Sequence, residues 1–99
     1  MTMMNPVHAG IFVREELVEA NGLTVSKVAD LLGVARPNLN NVLNGHRALS
    51  YELALKFEAL FPTIKADFLV RLQTNHDLAQ ARMREAEIKA GIKSYEMAA

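Results

Sequence analysis

Between Leu23 and Gly45 the chain reads LTVSKVADLLGVARPNLNNVLNG, and no other stretch limits the fold as much. Val25, Val28, Ala29 and Leu32 recur at the spacing of one helical face. Leu39, Val42 and Leu43 repeat that spacing a few residues on. Thr24 stands where a hydroxyl caps a helix N-terminus, and Gly33 ends this first helix. Pro37 suits the first turn of the second helix, where N–H groups are spare, and Asn44-Gly45 ends it. With a joint this short, the two helices must meet at an angle across the glycine. Ala29 is small at the crossing, Gly33 tolerates a positive φ, and Val34 and Leu39 can plug the angle. This is a helix-turn-helix pattern.

The second helix of the pair turns Arg36, Pro37, Asn38, Asn40, Asn41 and Asn44 outward. Asparagine is a mediocre helix former, because its amide competes for backbone hydrogen bonds. Its use here has a chemical sense. An amide offers both a donor and an acceptor and can pair in two-pronged fashion with the N6/N7 edge of adenine, as arginine does with guanine. A plain solvated surface is the competing explanation for a polar face, and the turn pattern around these residues weakens it.

The remaining segments carry the same helical period and few strand signals. Val13, Leu17 and Ala20 mark a first helix from near Ala9 to just before Asn21-Gly22. Ser50 caps a fourth helix with Leu53, Ala54, Phe57, Leu60 and Phe61 inward, and Pro62 stops it. Thr63 is expected to open a fifth helix that buries Phe68, Leu69 and Leu72 and can run past Ala81. Arg82 to Ala99 is mixed in charge and weakly patterned, with a break expected at Ala90-Gly91. The expected organisation is a flexible N-terminus at 1–7, a helix-turn-helix domain at 8–81, and a C-terminal extension at 82–99 that serves dimerisation or a partner. The fold class is all-α: five helices of phage-repressor-like layout plus that extension. The expected core is Val28, Leu32, Leu39, Val42, Leu43, Leu53, Phe57, Leu60, Leu69 and Leu72.

Composition excludes several classes. The chain has 99 residues, 51% of them hydrophobic, enough for one core. It has no cysteine, so disulfides and thiolate metal sites are absent. No apolar run approaches the roughly 20 residues that cross a bilayer, and MTMMNPVHAG lacks the layout of a secretion signal; the expected location is the cytoplasm. The net charge is zero, but its distribution is uneven. Residues 8–23 set Arg14 against Glu15, Glu16 and Glu19, whereas 24–47 set Lys27, Arg36 and Arg47 against Asp30. The amide-rich region is thus the most basic part of a neutral chain.

Several blocks together resemble the HigA family of antitoxins, a branch of the Xre-type repressors that are similar to phage repressors. The family opens with His-Pro-Gly, and His8-Ala9-Gly10 stands here. Leu23-Thr24 and Ala29-Asp30-Leu31-Leu32-Gly33-Val34 match its turn, and Leu39 through Gly45, Arg47 and Leu49-Ser50 match the family's second helix and its loop. Glu52-Leu53-Ala54-Leu55-Lys56 matches the next block, and Phe68-Leu69 with Leu72-Gln73-Thr74-Asn75-His76-Asp77-Leu78 stands where the family has Trp-Leu and Leu-Gln-x-x-Tyr-Asp-Leu. The resemblance spans His8 to Ala81. Ala9 replaces the usual Pro, His76 the Tyr, and Ala35 a Ser or Thr cap, a loss of about 1 kcal/mol that Pro37 partly offsets.

The resemblance implies an antitoxin that binds and neutralises a small RelE-like, mRNA-cleaving toxin, and that represses its own operon as a homodimer on an inverted-repeat operator. Arg36, Asn38, Asn40 and Asn41 are the candidates for base edges. Thr24 (through its helix N-terminus), Lys27, Asn44 and Arg47 are the candidates for phosphate. Two rival readings remain open: a protein-binding module that no longer binds DNA, and a stand-alone phage-type repressor without a toxin. His8, His46 and His76 fall on separate elements with no ligand spacing, so no metal or other cofactor is expected. His46 beside Arg47 reads as a phosphate contact or a plain exposed residue, and Glu15-Glu16 as a solvated face. No arrangement of catalytic residues can be argued from spacing, and an enzyme is not expected.

Overall fold

The computed structural model describes residues 6–98, and the described residues are helical with no strand among them. Helix α1 (Ala9–Val13) runs directly into a π-helical stretch, Arg14–Glu19. Helices α2 (Val25–Leu32), α3 (Arg36–Leu43), α4 (Tyr51–Leu60) and α5 (Ala66–Arg82) come next, and a short α6 (Glu85–Lys89) lies in the C-terminal extension. Of the N-terminal stretch expected to be flexible, residues 1–5 lie outside the described residues.

Helix α1 packs on α3 and α5, α2 on α3 and α4, and α4 on α5. Phe57 is the largest fully buried side chain of the core, which also holds Val13, Val18, Val28, Leu39, Leu43 and Leu69. Of the predicted core, Val28, Leu39, Val42, Leu43, Phe57 and Leu69 are buried. Leu32, Leu53, Leu60 and Leu72 are half-buried and pack against its edge, as expected where short helices enclose one small core.

Three local expectations are corrected. The first helix widens after Val13, so its buried residues do not keep the 3.6 period: Ala20 is exposed, and Val18, five residues beyond Val13, is buried. Thr63 does not open α5. The N-cap is Lys65, which offers no side-chain acceptor; Glu58 of α4 supplies one instead, its Oε1 accepting from the Ala66 N–H at 2.7 Å. Phe68 is not a core residue. It is 36% exposed and meets Phe12 edge-on at 5.4 Å between ring centroids.

The other caps follow their chemistry. Thr24 Oγ1 accepts from the Lys27 N–H and Ser50 Oγ from the Leu53 N–H, each at 3.1 Å. Ala35 leaves α3 without a side-chain cap. Gly33 takes φ +70° at the joint between α2 and α3, and Gly91 takes φ +80° after α6.

His8 caps α1, a role the sequence did not suggest. Its Nδ1 accepts from the Gly10 N–H at 2.9 Å, and the ring is buried edge-on against His76, with centroids 5.2 Å apart. Burial, and then the His76 ring, hold the His8 pKa below its ordinary value, against the opposing pull of the Arg47 backbone and Asp77. The unfolded chain titrates near the ordinary value of about 6.5 and so binds this proton first as the pH falls. Stability is therefore fully present above that value and declines below it, until the folded-state pKa is passed. Urea midpoints at pH 7, 6 and 5.5 should fall for the parent, and fall less for His8→Asn, which keeps a cap acceptor without a proton to take up. Parallel declines would show that His8 does not carry the effect.

Candidate nucleic-acid interface

Helix α3 owes its placement to the core beneath it. Leu39, Val42 and Leu43 anchor its inner face there. At about 100° per residue, Pro37, Asn41 and Asn44 fall on the opposite side, flanked by Asn38 and Asn40, while Arg36, seven residues before Leu43, lies near the inner line in the open first turn. Arg36, Asn38 and Asn44 are exposed, and Asn40 and Asn41 half-buried. Thr24, Lys27, His46 and Arg47 are exposed. The fold thus presents the amides, Arg36 and Arg47 on the side of the domain carried by α3 and the loop after it. Thr24 and Lys27 lie at the start of α2.

Three residues outside α3 hold it and its adjoining loop. Gly10, in the first turn of α1, lies so close to α3 that a Cβ there would land on the Val42 carbonyl oxygen, 2.7 Å from the carbonyl carbon. Gln73, buried on α5, accepts from the Leu49 N–H at 2.9 Å through Oε1 and donates from Nε2 to Asp77 Oδ1 at 2.9 Å. This fixes the end of the loop that carries Arg47. Arg14 reaches the C-terminus of α3, donating from Nη1 to Asn44 Oδ1 at 3.0 Å and to the Leu43 carbonyl at 3.4 Å. The Asn44 oxygen is therefore engaged, and a phosphate contact from this residue must use its Nδ2 donor, the group such an acceptor needs.

A groove of about 320 Å³ opens between α3 and α4, lined by Asn38, Arg47, Ser50, Glu52 and Lys56 among others. Lys56 adds to the groove that Arg47 lines a cation that the sequence did not single out; its position in an apolar-periodic helix hides it. Gly10 and Gln73 stand in the sequence only as letters of recurrent blocks, and Arg14 only as a charge. No group of three or more His, Cys, Asp or Glu among the described residues is placed to hold a metal ion. Among the same residues, no helix is long and apolar enough to cross a membrane.

A family model described as helix-turn-helix matches residues 14–69, which hold α2, the Gly33 joint and α3. The chain belongs to the helix-turn-helix family. Virulence-associated protein A of Dichelobacter nodosus is 33% identical over 92 residues, covering 93% of this chain and 90% of the relative. The solved structure of antitoxin GraA superposes with a TM-score of 0.85 at 32% identity, covering 94% of this chain and all of that one. GraA in complex with its operator gives 0.82 at 30% identity over 98% of both chains. Pseudomonas aeruginosa antitoxin HigA with the higBA promoter gives 0.82 at 25% identity, over 93% of this chain and 100% of that one. The resemblance read from His8-Ala9-Gly10 and the Leu-Gln block thus agrees with the solved neighbours of this helix-turn-helix chain.

Proposed function

We propose that this chain is a DNA-binding antitoxin that represses its own operon and neutralises a RelE-like, mRNA-cleaving toxin in the cytoplasm. The observation that carries the DNA half is the polar side of α3, where Asn38, Asn40 and Asn41 stand on a helix seated at a Gly33 turn, with the exposed Arg36 in its first turn. These four are the base-reading residues. Thr24, Lys27, Asn44 and Arg47 hold phosphate around them. The operator-bound GraA and promoter-bound HigA neighbours support the same reading. One helix-turn-helix reads only a few base pairs, so the chain acts as a homodimer on an inverted repeat. Leu78, Met83, Ile88, Ile92, Tyr95 and Met97 are exposed on α5 and the extension, which supports that segment as the dimer surface.

Binding isotherms on a duplex from immediately upstream of the coding sequence, and on a scrambled duplex, test this at several salt concentrations. Asn41→Ala should weaken upstream-duplex binding by roughly 1–3 kcal/mol and leave the scrambled duplex almost unchanged. Arg47→Ala should weaken both and lower the salt slope by about one unit. Two chains should bind per duplex. If the parent does not distinguish the two duplexes, the protein-only reading, which zero net charge favours, replaces this one. The toxin half is read from the neighbouring reading frame: its product alone should arrest growth, and co-expression of this chain should relieve the arrest. A neighbour without that effect leaves a stand-alone repressor.

A further inference from the structure

We propose that Arg14 is a positioning residue for the DNA-reading helix, setting how well the protein tells its operator from other DNA without itself touching DNA; this rests on the proposed DNA-binding function. Helix α3 has no basic residue in its own last turn. Its C-terminal carbonyls carry the negative end of the helix dipole, which a cation stabilises. Arg14, thirty residues before Asn44 in the chain, provides that cation. Its Nη1 donates to both the Leu43 carbonyl and the Asn44 side-chain oxygen.

The guanidinium is held from behind as well. Nη2 lies 3.5 Å from Glu15 Oε2, and Nε lies 3.6 Å from Glu19 Oε2. Nε itself is buried and has no hydrogen-bond partner, and the side chain as a whole is only 30% exposed. A freely solvated surface arginine would not be arranged in this way. Two carboxylates also reduce its attraction for phosphate, which argues for a role toward α3. The π-helical widening begins at Arg14 itself. Wide turns of this kind are rare and frequently stand at functional sites.

The clasp acts on the last turn of α3, where Asn41 and Asn44 stand. A two-pronged amide–base pair depends on the angle of its helix, so release of that turn costs specific contacts. General attraction between basic residues and phosphate tolerates the same movement.

Arg14→Gln, Arg14→Lys, Asn44→Ala and the Arg14→Gln/Asn44→Ala double variant test this, with binding to the upstream and scrambled duplexes measured well below each variant's melting temperature. Arg14→Gln should lose about tenfold in affinity for the upstream duplex, the scale of one hydrogen bond to a charged group. It should keep its scrambled-duplex affinity and its salt slope. Arg14→Lys, which restores the charge but not the fork, should recover part of the loss. The double variant should lose less than the product of the two single losses, because the pair acts as one unit. Equal losses on both duplexes with a slope lower by about one would overturn the proposal and make Arg14 a phosphate contact. Unchanged discrimination would also overturn it. A parent protein that fails to discriminate sinks the DNA-reading proposal first, and this one with it.

Discussion

Gly10→Ala should destabilise the protein by about 3 kcal/mol, the upper part of the usual range for overpacking. Helix propensity alone predicts the opposite sign, because alanine in place of glycine within a helix gains roughly 0.5–1 kcal/mol. The tertiary contact decides. The added methyl would land on the Val42 carbonyl, and a backbone atom within α3 cannot swing aside as a flexible side chain could. Relief requires α1 and α3 to separate, which opens the core where Ala9 and Val13 are fully buried. For a domain of this size the loss corresponds to a fall in melting temperature of roughly 12–24 °C. Because α3 itself must shift, discrimination between upstream and scrambled duplexes should weaken in whatever fraction stays folded. A melting temperature equal to or above the parent's would mean that the helices do not approach this closely in solution.

The second large effect belongs to Gln73. Gln73→Met keeps about the same volume but removes the acceptor for the Leu49 N–H, whose own residue is only 4% exposed. A buried donor left unpaired costs about 1–3 kcal/mol, and a loss of about 2 is expected here. Asp77→Asn serves as the control, since its amide oxygen can still accept from Gln73 Nε2; it should cost less than about 0.5 kcal/mol. Urea unfolding measures both. Amide exchange at Leu49 should also quicken in Gln73→Met, because the bond that protects this N–H is gone. If Gln73→Met is as stable as the parent, water or a shifted loop replaces the glutamine, and α5 does not tie down the loop that bears Arg47.

Both predictions concern residues whose role is only partly legible in the sequence. The signals that can be read directly are local ones. A hydroxyl three residues before an N–H it can cap, a glycine after a run of apolar residues, and an apolar period of 3.6 depend on neighbours within one turn. They are therefore written into adjacent letters: Thr24, Gly33, Ser50 and the inner face of α3 stand as expected. The misreadings arise where a partner from another element takes over a local role. Glu58 of α4 makes a cap at Thr63 unnecessary, so α5 starts at Ala66. The π-helical stretch moves the buried position from Ala20 to Val18. Phe68 packs on Phe12 at the rim and never reaches the core.

The candidate interface divides in the same way. The sequence alone determined that α2 and α3 form a pair joined at a glycine, and which residues of α3 face away from Leu39, Val42 and Leu43. Helical geometry gives Pro37, Asn41 and Asn44 that direction once the inner face is known, but neighbouring elements leave Asn40 and Asn41 half-buried. Only the tertiary structure decided what fixes α3 in place: the absent side chain at Gly10, the bonds from Arg14 Nη1 to Leu43 and Asn44, and the Gln73 bond to Leu49. Each joins residues at least twenty-four positions apart. No periodicity or spacing rule reaches that far, because contacts of this kind exist only after the chain has folded back on itself.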